Sequence, residues 1–265
     1  RFRNEIEFGM SAKNDHVVKI HAQCEDGEYF YYTMDLYSEN LRDIIDEEFD
    51  HQILLDYLSQ LCDGLAYVHA NGAVHRDIKP ENILVDSTNR RLVLADFGIA
   101  HFKDSSLTQK DDLLANRNYL APEQMLKKNA RNIGEPADVF ALGLIITETF
   151  TKQNPRGAQH RRVGEFHPFL SDLDLLVERM TLQDEARRIR IPAVCHWLKL
   201  IRRQVDHNRD EIVAELRHGL VPTSQDTKAT DSILEQAGTD VLSAKYIFER
   251  TTDQDLSRYN PNYHC

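Results

Sequence analysis

The chain has 265 residues, 41% of them hydrophobic, enough to bury a sizeable core in one large domain or in one domain with an appendage. Its formal charge of −11 argues against non-specific binding to nucleic acid or acidic lipid, which requires clustered Lys and Arg. No apolar run reaches membrane-spanning length and no signal-peptide pattern opens the chain. Cys24, Cys62, Cys195 and Cys265 lie far apart, with neither zinc-ligand spacing nor a disulfide framework, so a reducing cytoplasm is the expected setting.

At the start, RFRNEIEFGMSAK puts Ile6 and Met10 on one face of a helix over residues 1–13. The runs HVVKIHAQ and EYFYYTMDLY are rich in β-branched and aromatic residues and are split by the turn-like CEDG, which predicts strand, turn, strand. In HQILLDYLSQLCDGLAYVHA (51–70), Leu54, Leu58, Leu61, Leu65 and Val68 recur at helical spacing until Asn71-Gly72 ends the pattern, so a long buried helix is expected. Short strands follow around VHRDIKPENILV (74–85) and LADFGIA (94–100), then a polar stretch at 101–118. ADVFALGLIITETF (137–150) is too evenly apolar for a surface helix and predicts one that runs through a core. Helices are also expected at 171–181 and 192–203. Beyond residue 206 the composition turns polar, with one short helix at 209–218 between an Asn208 N-cap and a Gly219 stop.

The chemistry concentrates in residues 74–100. Asp77 is followed two residues later by Lys79 and five later by Asn82, and Asp96 stands fourteen residues beyond that. Carboxylate and amide oxygens are hard ligands that suit Mg²⁺, and a lysine supplies a point charge for a phosphoryl oxygen. Together these residue types point to phosphoryl transfer. His75-Arg76-Asp77-Ile78-Lys79-Pro80-Glu81-Asn82, then Asp96-Phe97-Gly98, then Ala121-Pro122-Glu123 resembles the eukaryotic-type (Hanks-type) serine/threonine protein kinases over roughly residues 1–203.

That resemblance implies an α+β, two-lobed fold, here a mostly α-helical C-lobe at 38–205, the end of an N-lobe at 1–37, and a polar extension at 206–265. It implies ATP and Mg²⁺ as cofactors and a Ser/Thr-bearing protein as substrate, with no nucleic acid and no membrane segment. Asp77 would accept the substrate hydroxyl proton and orient that oxygen. Its orienting role should exceed its strength as a base, because an ordinary carboxylate titrates near pH 4. Lys79 would offset phosphoryl charge, Asn82 and Asp96 would hold Mg²⁺, and His75 and Phe97 would stack inside. Met34 resembles the residue that guards the adenine pocket, Asp35 would offer its carbonyl and Tyr37 its amide to the base, and Leu84 and Ala95 would lie against the ring. Asp138 resembles a buried aspartate that binds the catalytic-loop backbone, with Phe140 where a Trp is usual. Glu123 would pair with a buried arginine, for which Arg188 is the candidate.

Glu5 matches the family's glutamate that pairs with a strand lysine, yet no lysine precedes Lys13 and no glycine precedes Gly9. The expectation is therefore an N-terminally truncated kinase, weakly active or inactive as given. The alternative is a catalytically inactive pseudokinase that serves as a binding scaffold. A small-molecule phosphotransferase fits less well, because HRDIK and APE resemble parts that shape a peptide-substrate site. Gly9 stands where the family usually keeps Leu, leaving a gap that Met10 could fill, and Asn116 replaces a usual threonine. Arg156, His160, Arg161 and Arg162 read as a solvated loop or as a docking group for an acidic partner. Arg76 is of the kind that usually binds an activation-segment phosphate. At that place stands Asp112, beside Asp111, with Ser105, Ser106 and Thr108 the nearest hydroxyls, so either a built-in charge or a Thr108 switch is expected.

Overall fold

The computed structural model describes residues 2–26, 29–47, 50–96, 118–126, 133–156 and 161–219, with side chains for all of these except 2–5, 29–30 and 208–219. Helix α1 (Phe2–Ser11) buries Ile6 completely, but Met10 is 44% exposed. The space beside Gly9 is filled by Ile20 instead: a Cβ on Gly9 would lie 2.7 Å from Ile20 Cδ1. Met10 is therefore not the gap-filler expected of it, because the hairpin that follows brings a branched side chain to that point first. Strands β1 (Ile20–Asp26) and β2 (Tyr29–Met34) pair antiparallel, from Ile20 opposite Met34 to Asp26 opposite Tyr29, with an irregularity between Ile20 and Ala22.

Strand β3 (Glu39–Asn40) leads into helix α2 (Leu41–Asp46), and Asn40 closes a capping box. Its side-chain oxygen accepts from the Arg42 amide at 2.8 Å, while Asp43 accepts from the Asn40 amide at 2.9 Å. The other end of α2 is held by Lys152, whose Nζ donates to the carbonyls of Ile45 at 2.5 Å and Glu47 at 2.6 Å. Helix α3 (His51–Ala70) starts on an Asp50 cap and buries the five apolar residues named above; Asn71 and Gly72, with φ of +73°, end it.

A Cβ on Gly64 of α3 would stand 2.7 Å from the His16 carbonyl oxygen. That close approach lets the 14–18 segment lie on α3 while it also joins the second sheet: Leu94 donates to His16 O and Val18 to Leu94 O, each at 2.9 Å. This sheet runs β3–β4–β5, all antiparallel, with β4 (Ile83–Asp86) between β3 and β5 (Arg91–Leu94). Asn40 faces Leu84, and Leu84 faces Val93.

Helix α4 (Pro122–Leu126) is short, and α5 (Pro136–Thr151) is the buried axis of the larger part, with every residue from Ala137 to Thr151 inside. Against it pack α6 (Val163–Phe166) and α7 (Asp172–Met180), while α8 (Ile191–Gly219) packs chiefly against α3. The fold is α+β and mostly helical. Helix α8 corrects one expectation: it is a single 29-residue helix, so Asn208 lies within it and caps nothing, although Gly219 is its last residue. An internal asparagine costs a helix only about 0.7 kcal/mol, too little to break one whose backbone ladder continues on both sides. The composition change at 206 thus falls inside α8. No helix among the described residues is long and apolar enough to cross a membrane.

Candidate active site

The loop between α3 and β4 is built on Asp138, in the first turn of α5. Its carboxylate is buried and accepts from the amides of His75 at 2.9 Å and Arg76 at 2.7 Å, and it meets His69 Nε2 at 2.8 Å. These bonds hold Arg76 in the left-handed region, φ of +70°, a conformation that costs a side-chain-bearing residue about 1–3 kcal/mol. Gln124 secures the same residue from the other side: its amide donates to Arg76 O at 2.8 Å and accepts from the Ala121 amide at 2.8 Å. The Arg76 side chain donates through Nε to Ile133 O at 3.2 Å. Asp111, Asp112, Thr108, Ser105, Ser106, Asn116, Phe97 and Gly98 lie outside the described residues.

His75 is fully buried, and its protonation state follows from its partners. Nε2 meets the carbonyl of Ala95 at 2.9 Å and so carries the proton; Nδ1 accepts from the Asp77 amide at 3.3 Å and so does not. Burial lowers its pKa, against the opposing pull of Asp138, because a second proton would face an N–H. The folded state therefore resists a proton that the unfolded chain accepts below pH about 6.5, so this contribution to stability is present above that pH and is lost as pH falls below it. Denaturation midpoints should drop between pH 7 and pH 5. His75→Gln, which can donate and accept without titrating, should flatten that drop, and an unchanged slope would exclude His75 as its source.

Asp77 follows the strained residue. Asn82, from the 3-10 turn Pro80–Asn82, donates its amide to Asp77 O at 2.8 Å and to Asp77 Oδ2 at 3.0 Å. Lys79 Nζ stands 3.6 Å from the same Oδ2, with the lysine side chain 18% exposed and the aspartate 30%. The carboxylate is thus oriented from two sides yet open to solvent. Asp96 is brought to the loop by its neighbour: Ala95 donates to Asn82 O at 2.9 Å, and its own carbonyl is held by His75. Asp96 is exposed, with φ of +53°.

Met34 ends β2 and is 37% exposed; Asp35 is exposed and binds His21 Nε2 at 2.9 Å; Tyr37 is half-buried. These residues lie on the connection into β3, which pairs with β4 beside the half-buried Leu84, and Ala95 is buried just past β5. Glu5 lies on α1, one turn before Gly9, and its side chain is outside the described residues.

Two ionic clusters frame the loop. Arg188 binds Glu123 through both ends of its guanidinium, at 2.6 and 2.7 Å, with the arginine side chain 0% and the glutamate 7% exposed. It also donates to Leu182 O and Pro136 O and lies 4.8 Å from the centre of the Phe140 ring, so Phe140 serves this arginine as a flat face. The second cluster escaped sequence reasoning. Arg42 of α2 binds Glu148 of α5 at 2.8 Å, Glu81 at 3.1 Å and Tyr119 Oη at 2.5 Å, and Tyr119 donates to Glu148. Burial alone would lower the Arg42 pKa, but the bond to Glu148 more than offsets it; burial and the same glutamate push Tyr119 up. Only the APE motif drew attention to that stretch, and nothing in the spacing of residues 42, 81, 119 and 148 links them.

As far as the basic group at 156–162 is described, it fits the solvated-loop reading: Arg156, Arg161 and Arg162 are all exposed. Arg156 donates to the carbonyls of Asn118, at 2.7 Å, and Leu120, and it lies over Phe140; Arg161 pairs with Glu165, and Arg162 with Glu178. Backbone carbonyls hold the Arg156 guanidinium, while α6 and α7 present exposed carboxylates beside Arg161 and Arg162, surface pairs of a kind that contributes little to stability. His160 is outside the described residues. Among the described residues no group of three or more His, Cys, Asp or Glu forms a metal cluster. Mg²⁺ needs none, since it is commonly held by one or two protein oxygens together with substrate phosphates and water. Because the Asn82 amide nitrogen is spent on Asp77, its oxygen is the end available to a cation, and the donor set of Asn82 and Asp96 fits that ion.

An aspartate held on a strained loop and clamped from below by a buried carboxylate, all on a mostly helical α+β scaffold, defines the class of protein. Residues 1–196 match the protein kinase domain, and the chain belongs to that family. It is 34% identical over 151 residues to cyclin-dependent kinase F-3 of Oryza sativa subsp. japonica, covering 56% of this chain and 34% of the relative. It is 31% identical over 157 residues to mitogen-activated protein kinase kinase kinase 1 of Arabidopsis thaliana, covering 58% and 25%. Serine/threonine-protein kinase ICK of Rattus norvegicus is 32% identical over 150 residues, covering 56% and 23%. The chain thus matches a quarter to a third of the length of these relatives.

Proposed function

We propose that the protein transfers the γ-phosphate of ATP to serine or threonine hydroxyls of protein substrates. The observation that carries this reading is the amide of Asn82 bonded to both the carbonyl and the carboxylate of Asp77, which presents the free edge of that carboxylate to solvent beside Lys79. Asp77 orients the substrate hydroxyl and takes its proton. Lys79 offsets charge on the phosphoryl group. Asn82 and Asp96 would hold Mg²⁺, which would supply positive charge to offset that of the phosphates. Met34, Leu84 and Ala95 line the adenine site, where the Asp35 carbonyl and the Tyr37 amide meet the base, and Glu5 takes the place of the family's ion-pairing glutamate. Residues 1–37 act as the smaller lobe's contribution, 38–205 as the larger lobe, and 206–265 as an extension. In this family chemistry is mostly positioning and electrostatics, and the strained, doubly anchored loop suits that demand.

The test is incubation with γ-labelled ATP and a mixture of Ser- and Thr-containing peptides, with Mg²⁺ present or chelated. Label on peptide hydroxyls that vanishes on chelation supports the reading. Tight nucleotide or partner binding with no transfer to any peptide would replace it with an inactive binding scaffold.

A further inference from the structure

The four cysteines are far apart in sequence, but the fold brings two of them together. Cys62, on the buried face of α3, and Cys195, in the second turn of α8, have their sulfurs 2.6 Å apart. Both are free thiols in the structure. Cys62 is fully buried, and its sulfur also lies 3.9 Å from the carbonyl of Ile191, the first residue of α8; Cys195 is 9% exposed. The pair lies outside the loop that carries Asp77, and no step of the proposed reaction uses it.

We propose that Cys62 and Cys195 are a modification site: a reversible intramolecular disulfide that staples α3 to α8. Two sulfurs already in contact need little backbone movement to bond, which is the usual obstacle to a new disulfide. The roles within the pair are unequal. A proton shared from Cys62 stabilises the Cys195 thiolate and holds its pKa down, while the same bond and burial push Cys62 up. Cys195 is also the partner nearer solvent; of the charges near it, Asp63 opposes the thiolate and Lys199, four residues along α8, offsets that in part. Cys195 is therefore the attacking sulfur.

With hydrogen peroxide as oxidant, the Cys195 thiolate attacks one oxygen and breaks the O–O bond, leaving a sulfenic acid and hydroxide, which takes up the proton Cys195 had lost. The Cys62 sulfur then attacks the sulfenic sulfur, the S–O bond breaks, and the hydroxyl leaves as water with the Cys62 proton. Two thiols and one peroxide give one disulfide and two waters, and a thiol reductant reverses the change by exchange. The link closes a loop across 133 positions of the chain, so it restricts the unfolded state far more than the folded one.

The experiment treats the full chain with hydrogen peroxide, blocks remaining thiols, and maps peptides by mass spectrometry without reduction. The expected result is a fall from four titratable thiols to two, a cross-linked peptide pair containing Cys62 and Cys195, a monomer on a non-reducing gel, and a melting midpoint several degrees higher that dithiothreitol restores. Cys195→Ser should abolish both the cross-link and the rise in midpoint while Cys24 still reacts. Because peptide mapping of the unsubstituted chain needs no variant, a poorly folding substitution does not remove the test. Cross-links through Cys24 or Cys265, a sulfinic acid on Cys195 without a cross-link, or no loss of thiols would each overturn the proposal. None of these readouts depends on kinase activity.

Discussion

Replacing Asp77 with Asn should reduce phosphoryl transfer by a factor on the order of 100 to 10,000 and leave the fold and the melting midpoint nearly unchanged. The substitution keeps the size of the side chain and an oxygen that can accept from the Asn82 amide, now at 3.0 Å. It removes the negative charge that faces Lys79 at 3.6 Å and the only group of the loop placed to take a hydroxyl proton. The backbone amide of residue 77 still donates to His75 Nδ1, so the loop retains its frame. Transfer rates measured at saturating ATP, beside thermal melts of both proteins, separate the effects. A variant that transfers phosphate within about threefold of the parent would remove Asp77 from the role assigned to it, since positioning alone would then account for the rate.

The largest effect on stability is expected at Arg188. Its guanidinium is withdrawn from water, bonded to both oxygens of Glu123 and to backbone carbonyls on either side, and flat against Phe140. Arg188→Ala leaves the Glu123 carboxylate buried with no counter-charge and should cost about 3–5 kcal/mol in urea or thermal denaturation. Glu123→Ala should cost a similar amount for the converse reason. Removing both should cost less than the sum of the two, because neither charge is then stranded, and additive losses would show that the residues do not act as a pair. Single substitutions in the polar segment beyond residue 219 should fall well below these values. A tail substitution as damaging as Arg188→Ala would mean that the tail packs into the core.

Much of the architecture was legible because periodicity is a local property. The leucines of α3 recur every three or four residues, and the Asn71-Gly72 stop ends the helix where the structure ends it. The uniform hydrophobicity of residues 137–150 required burial on all sides, and α5 has it. Partners inferred from resemblance, Asp138 beneath the loop and Arg188 with Glu123, also stand where expected. The failures share one cause. Met10 was expected to fill the space beside Gly9 because it is adjacent in the chain, but Ile20 arrives from a strand that local reading cannot orient. Asn208 looked like a cap because asparagine is good at helix ends, yet nothing there stops the helix.

The amino-acid sequence by itself determined the class of the protein, the identity of the residues around the candidate site, and the placement of its main helices, because motif spacing and hydrophobic period are carried by neighbours along the chain. Beyond the two pairings that the resemblance implied, tertiary structure alone decided which distant side chains meet. Arg42, Glu81, Tyr119 and Glu148 form one cluster, Gln124 anchors the strained Arg76, Arg162 reaches Glu178 on the surface, and Cys62 touches Cys195. Such contacts cross up to 133 positions of the chain and depend on how helices dock. Docking is set by the packing of many side chains at once, and no single stretch of residues encodes it.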